Sequence, residues 1–184
     1  MRIVAGKHRG RRLVAPEGLA VRPTADRTRE ALFNILGQAR GGPAPLEGAR
    51  VLDAFAGTGA LGLEALSRGA GSVAFMESQP SALAALERNI ESLGEGAHAK
   101  ALRADVLRPP KAEPPADIVL MDPPYNQGLA EPALAALAEA GWIAADTIVV
   151  VELMAKEPFE APPGFTVTDE RKYGKARLVF VARD

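Results

Sequence analysis

Val51-Leu52-Asp53-Ala54-Phe55-Ala56-Gly57-Thr58-Gly59-Ala60-Leu61-Gly62 is the stretch on which the fold turns. It begins as a short buried strand, bends on glycines and opens a helix. Gly57, Gly59 and Gly62 fit G-x-G-x-x-G, the pattern of a turn that lets a ligand lie against bare backbone. In a dinucleotide-binding turn the first glycine follows the strand almost directly, and the helix start meets a pyrophosphate. Here an acid, Asp53, ends the strand four residues before Gly57. A carboxylate at that point repels a phosphate and suits a ligand carrying positive charge.

S-adenosylmethionine is such a ligand, with an ammonium and a sulfonium, and D-x-x-x-G-x-G resembles motif I of class I methyltransferases. The alternatives for this turn are a nicotinamide enzyme or a purely structural bend. Glu77 ends the next strand, 24 residues after Asp53, near the offset of ~20 at which an acid takes ribose hydroxyls. Asp105 follows a third, weaker strand. A solvated surface carboxylate is the plain alternative for each.

Outward from the turn, strand and helix alternate. Strands are expected at 50–53, 72–77, 100–103, 117–121 and 147–152, with helices at 60–67, 80–93 and 131–140. Gly69 and Gly94 stop the first two helices. Such alternation predicts a parallel sheet with helices on both faces. Segments 166–169 and 176–181 read as a closing antiparallel pair that adds an antiparallel edge strand. Upstream, 2–5 and 11–14 read as a hairpin joined by 6–10. A helix follows over 24–36, capped by Thr24 and ended by Gly37 and Gly41-Gly42-Pro43. Residues 1–40 are thus expected as a basic hairpin-and-helix extension, and 41–184 as the main domain.

Charge is unevenly spread. Residues 1–30 hold eight Lys or Arg against three acids, a local +5 that leaves −6 on the rest of a chain whose formal net charge is −1. A basic arm on an acidic body suits a polyanionic partner. There is no cysteine, so disulfides, thiolate metal sites and cysteine nucleophiles are excluded. The first residues lack the apolar core of a signal peptide. No apolar run approaches the ~20 residues that span a bilayer. A cytoplasmic, monomeric chain without metal or membrane contact is expected.

Met121-Asp122-Pro123-Pro124-Tyr125 follows the most apolar strand and lies 65 residues beyond Gly57. It resembles the [D/N/S]-P-P-[Y/F/W] motif of amino-methyltransferases. An amino group on a base is a poor nucleophile because its lone pair is delocalised into the ring. Acceptors on its two hydrogens rotate and pyramidalise it. The Asp122 carboxylate is one candidate acceptor, and the Pro123 carbonyl is the other. Pro123 and Pro124 stiffen the corner, and Tyr125 offers a stacking face. Pyrimidine carbon-5 methylation typically needs a cysteine, which the chain lacks.

Arg22-Pro23-Thr24-Ala25-Asp26-Arg27-Thr28-Arg29-Glu30-Ala31-Leu32-Phe33-Asn34 resembles the hallmark of the bacterial ribosomal RNA small subunit methyltransferase D family. Arg2-Ile3-Val4-Ala5-Gly6, Gly10-Arg11-Arg12-Leu13, 53–70 and Tyr173-Gly174-Lys175-Ala176-Arg177 fit the same family. Thr28 departs mildly, where an aliphatic residue is expected.

The resemblance implies a class I, Rossmann-like α/β fold: a mostly parallel seven-stranded sheet with one antiparallel strand, plus the N-terminal hairpin and helix. It implies S-adenosylmethionine as cofactor, held by Asp53, Ala54, Gly57, Thr58, Gly59, Glu77, Ser78, Asp105, Val106 and Asp122. Asp105 would meet the adenine amino group. It also implies N2 methylation of one guanine of 16S ribosomal RNA, position 966, in free RNA or a small-subunit assembly intermediate. Asp122, Pro123, Pro124 and Tyr125 would carry the chemistry.

Arg2, Lys7, Arg9, Arg11, Arg12, Arg22, Arg27 and Arg29 are the expected RNA contacts. Near the helix start, Thr24, Asp26 and Arg29 either border the cofactor or RNA, or serve as cap and i,i+3 pair. His8 reads as an exposed loop histidine, His98 as unpartnered and Trp142 as core. Adenine N6, a protein glutamine, or a non-catalytic RNA-binding role on the same fold are the competing readings.

Overall fold

The structure is a computed structural model that describes residues 1–16, 23–38 and 45–184, with side chains of the first helix from Asp26 onward. The expected Arg22 contact, the Thr24 cap, the Gly41-Gly42-Pro43 break and the 40/41 boundary lie outside the described residues.

The elements are α1 (Pro23–Leu36), β1 (Arg50–Ala54), α2 (Ala60–Ser67), β2 (Ser72–Glu77), α3 (Pro80–Leu93), β3 (Ala99–Arg103), β4 (Ile118–Met121), α4 (Ala130–Glu139), β5 (Ile148–Met154), β6 (Phe165–Tyr173) and β7 (Ala176–Arg183). The seven strands form one sheet in the order β3-β2-β1-β4-β5-β7-β6. β1 to β5 run parallel, and β7 is antiparallel to both of its neighbours.

Side-chain alternation divides the core. Val51, Val73, Phe75, Ile118, Leu120, Val150, Leu178 and Phe180 share one buried cluster with residues of α1, α2 and α3. Their neighbours Leu52, Met76, Val119, Met121, Val149, Val151 and Val179 pack with α4 on the other face. Every residue of β4 is buried, as a central parallel strand covered on both faces requires.

Two expectations are corrected. The antiparallel strand is not the edge. β7 is inserted between β5 and β6 because its Leu178-Val179-Phe180-Val181 core is apolar on both faces. β6 is longer than expected and takes the edge, where Asp169, Glu170, Arg171 and Lys172 line a strand that is mostly exposed, a charged guard on an open edge. The N-terminal hairpin shrinks to a single bridge, Arg2 with Arg12. Ile3 donates to the Arg11 carbonyl at 2.9 Å, but the next amides, Val4 and Ala5, leave the ladder and donate to the Glu64 carboxylate at 2.7 and 3.0 Å. The arm is therefore a strap on α2. Its Ile3 and Leu13 belong to the same cluster as Leu63 and Leu66.

Candidate functional site

Parallel register brings the carboxyl ends of the central strands to one edge of the sheet. Ala54 lies opposite Met76 on β2 and opposite Met121 on β4. The segments beginning at Phe55, Ser78 and Asp122 therefore leave the sheet side by side. β1 and β4 are the neighbours at which the strand order reverses, the crevice where open α/β sheets take ligands.

On one side of that crevice stands the glycine turn. Phe55, Gly57 and Gly59 all adopt left-handed backbone, with φ of 63°, 55° and 83°. The three motif glycines have different duties. A Cβ on Gly59 would meet Leu86 at 2.4 Å, and one on Gly62 would meet Phe75 at 2.3 Å. Those two let α2 close on the sheet and α3. A Cβ on Gly57 would meet nothing within 4 Å. Gly57 thus presents bare backbone to open space, as a cofactor cradle requires.

Two acids hold the turn. Asp53 is 1 % exposed, and its carboxylate accepts the Gly62 amide at 2.8 Å. The sequence reading set it against a cationic ligand, whereas its carboxylate ties the end of β1 to the first turn of α2. Burial pushes its pKa up to about 8; the Gly62 amide opposes that shift and nearby Glu77 adds to it. Glu77 accepts the amides of Gly57 at 2.8 Å and Gln79 at 2.7 Å, so it bridges the cradle to the start of α3.

The Asp53 shift has a consequence for pH. The group binds its proton more tightly folded than unfolded, so it draws stability down as pH rises from about 4 towards 8. Asp53→Asn removes that titration and retains an acceptor for Gly62. Its melting temperature relative to wild type is expected to rise between pH 5 and pH 8. A difference that stays flat or falls across that window would contradict the protonated state.

Of the remaining expected cofactor residues, Ala54 and Val106 are buried and Ser78 is exposed. Thr58 is buried, and its carbonyl accepts the Asn89 amide at 3.0 Å. Asp105 is half-buried, accepts the Leu107 amide at 3.0 Å and meets Arg108 at 3.2 Å.

Across the crevice stands the proline corner. Asp122 and Pro124 are exposed, Pro123 is buried and Tyr125 half-buried. The Tyr125 hydroxyl donates to Glu152 at 3.0 Å. Asn126, with φ of 57°, donates its amide to Glu157 at 2.7 Å. Glu152 and Glu157 are both buried, so two carboxylates from β5 and just beyond it fix the corner.

The arm is anchored beside the cradle. Asn89, wholly buried, joins Val14 at 2.7 and 3.0 Å to the Thr58 carbonyl. Ser67 accepts the His8 amide and donates to the Ala5 carbonyl. Arg2, Arg9, Arg11, Arg12 and Arg27 are exposed, and Arg11 donates to the Ser92 carbonyl at 2.6 Å. Lys7 pairs with Glu95 at 2.7 Å.

Arg29 leaves the expected RNA set. It is 3 % exposed, binds Asp26 at 2.9 Å and the Arg2 carbonyl at 2.7 Å, and lies 3.7 Å from Glu64. The i,i+3 pairing of Asp26 is thereby realised. His8 is no free loop histidine, since its ring meets Glu95 at 2.5 Å. His98 meets the Gly71 carbonyl at 3.0 Å. Trp142 is half-buried, with its indole N–H on the Pro110 carbonyl at 2.8 Å.

A groove of about 900 Å³, lined by Arg50, Lys100, Lys111 and Trp142, opens at the opposite edge by the starts of β1, β2 and β3, away from both motifs. Among the described residues no cluster of three or more His, Cys, Asp or Glu could hold a metal. No helix there is long and apolar enough to cross a membrane.

The model of the family described as "Conserved hypothetical protein 95" matches residues 1–182. Ribosomal RNA small subunit methyltransferase D of Haemophilus influenzae is 35% identical over 178 residues, covering 95% of this chain and 89% of that protein. Its Escherichia coli K12 counterpart is 37% identical over 153 residues, covering 83% and 74%. The solved structure of yhhF from Escherichia coli superposes with a TM-score of 0.84 at 34% identity, covering 100% of this chain and 98% of that one. With its class I architecture, carboxyl-edge crevice and end-to-end match, the chain belongs to the ribosomal RNA small subunit methyltransferase D family of S-adenosylmethionine-dependent enzymes.

Proposed function

We propose that this chain methylates the exocyclic N2 amino group of one guanine in small-subunit ribosomal RNA, the position numbered 966 in 16S RNA. The observation that carries the reading is the placement of Asp122-Pro123-Pro124-Tyr125 directly across the β1/β4 switch point from the Gly57 cradle. Gly57 leaves room for the cofactor, and Glu77 at the end of β2 is the acid for its ribose. Ala54, Thr58, Gly59, Ser78, Asp105 and Val106 border the same edge. Asp53 acts on the cofactor through the turn that it braces.

Bound S-adenosylmethionine supplies an electrophilic methyl on a sulfonium. Asp122 and the Pro123 carbonyl accept the two amino hydrogens, which points the nitrogen lone pair out of the ring plane. Tyr125, held by Glu152, offers a fixed face for the base. Asp122 then takes the proton that the methylated nitrogen sheds. This is catalysis by positioning and fixed charge.

Arg2, Arg9, Arg11, Arg12 and Arg27, with Lys7 at the margin, supply phosphate contacts to the RNA beside the cleft. The target base must leave its stack to reach Tyr125. Replacing Arg9, Arg11 and Arg12 together by Ala is expected to lower the slope of log affinity against log salt by about 2 to 3 units. An unchanged slope would mean that the arm faces away from the RNA.

The function itself is tested by transfer of labelled methyl to unmodified small-subunit RNA and to its partly assembled particle, followed by nucleoside digestion. N2-methylguanosine from one position is expected. N6-methyladenosine, or label on protein, would replace this reading with one of its competitors.

A further inference from the structure

Glu152 follows the apolar Ile148-Val149-Val150-Val151 of β5, one strand beyond the proline corner. The register pairs Met121 with Val151, so Asp122 and Glu152 follow at the same level on adjacent parallel strands. Glu152 is 8 % exposed. Its carboxylate accepts the Tyr125 hydroxyl at 3.0 Å. A buried carboxylate costs folding energy unless it is paired, and with about four acceptor sites it can take a substrate donor as well as the Tyr125 hydroxyl.

We propose that Glu152 is the residue that selects guanine, by accepting the N1–H of the base beside the amino group being methylated. The inference rests on the guanine N2 reading above. A carboxylate can only accept. Guanine presents two adjacent donors on its pairing edge, N1–H and the N2 amino group. With N2 turned towards Asp122 and the Pro123 carbonyl, N1–H points to the next acceptor along the sheet edge, which is Glu152. Adenine and cytosine each place a lone pair where guanine has N1–H, and a lone pair against a carboxylate is repelled. Glu152 in turn accepts the Tyr125 hydroxyl, which ties the stacking face to the reading group.

The test uses small-subunit RNA carrying either guanine or 2-aminopurine at the target position. 2-Aminopurine keeps the amino group at position 2 but has a lone pair at N1. Initial rates of labelled methyl transfer are measured on both RNAs for wild type, Glu152→Gln and Tyr125→Phe. The readout is the guanine to 2-aminopurine ratio, which cancels any difference in the amount of folded enzyme.

Wild type is expected to prefer guanine by roughly 10²-fold or more, as sites built to bond a substrate N–H do. In Glu152→Gln the amide can donate to the N1 lone pair, and the preference is expected to shrink by about tenfold or more. Tyr125→Phe, which keeps the carboxylate, is expected to slow both RNAs and hold the wild-type ratio. A wild-type ratio in Glu152→Gln would overturn the proposal. So would the same shrinkage in both variants, because Glu152 would then act only by holding Tyr125. Wild-type enzyme that leaves the guanine RNA unmethylated would remove the guanine reading itself.

Discussion

Asp122→Ala is expected to slow methyl transfer by about 10²- to 10⁴-fold, the range for losing a positioned acid–base group, while S-adenosylmethionine still binds. The separation follows from where Asp122 stands. It is exposed at the mouth of the crevice, the first residue after β4, whereas the cradle is held by Asp53 and Glu77 through bonds that do not involve it. An Ala there leaves the base amino group with one acceptor and its lone pair in the ring plane. Single-turnover transfer gives the rate, and calorimetric titration gives the cofactor affinity. Retained turnover would take Asp122 out of the chemistry. A parallel collapse of affinity would make it part of the cradle.

The largest expected effect on stability belongs to Glu64→Ala. Glu64 is wholly buried on α2. It accepts the Val4 and Ala5 amides and the Arg68 guanidinium at 2.7 Å, and Arg29 lies 3.7 Å away. Removing one partner of a buried charge pair costs about 3–5 kcal/mol because the other is left uncompensated. For a chain of this size that is a fall in melting temperature of about 6–20 °C. Here the Arg68 side chain, 12% exposed, would lose the Glu64 carboxylate, whereas Arg29 would keep Asp26 as an ion-pair partner. The arm would lose two of the bonds that strap it to α2. Glu64→Gln, which keeps acceptor and shape, is expected to lose less. Melting temperatures of the two variants within about 2 °C of wild type would mean that the strap is not a structural element.

The elements that the sequence made legible are those with punctuation. β2 and the helices α2 and α3 lie where expected because Gly69, Pro80 and Gly94 mark their ends. β6 ran four residues past its expected end, since Glu170, Arg171 and Lys172 look like loop and are in fact an exposed strand edge. The swap of edge between β6 and β7 depends on which strand is apolar on both faces, and a hairpin reading alone does not ask that.

In the site, both motifs were readable because each is contiguous. The residues that hold them were not. Asn89 reaches Val14 across 75 positions, and Glu64 reaches Val4 across 60. Two missed features did leave a trace. Glu152 ends the apolar strand expected at 147–152, as Asp53 and Glu77 end those expected at 50–53 and 72–77, and the same rule would have singled it out. Arg29 shares a helix face with Leu32, Phe33 and Leu36, all buried, so its burial was written in the 3.6-residue period while its charge drew it into the arm.

The most direct measurement is a crystal structure of the chain with S-adenosylhomocysteine bound. The ligand is expected at the carboxyl edge of the sheet, with its ribose at Glu77 and its sulfur between the Gly57 turn and Tyr125. Ligand seated instead in the groove beside Trp142 and Lys111, or with its sulfur turned away from Asp122, would contradict it.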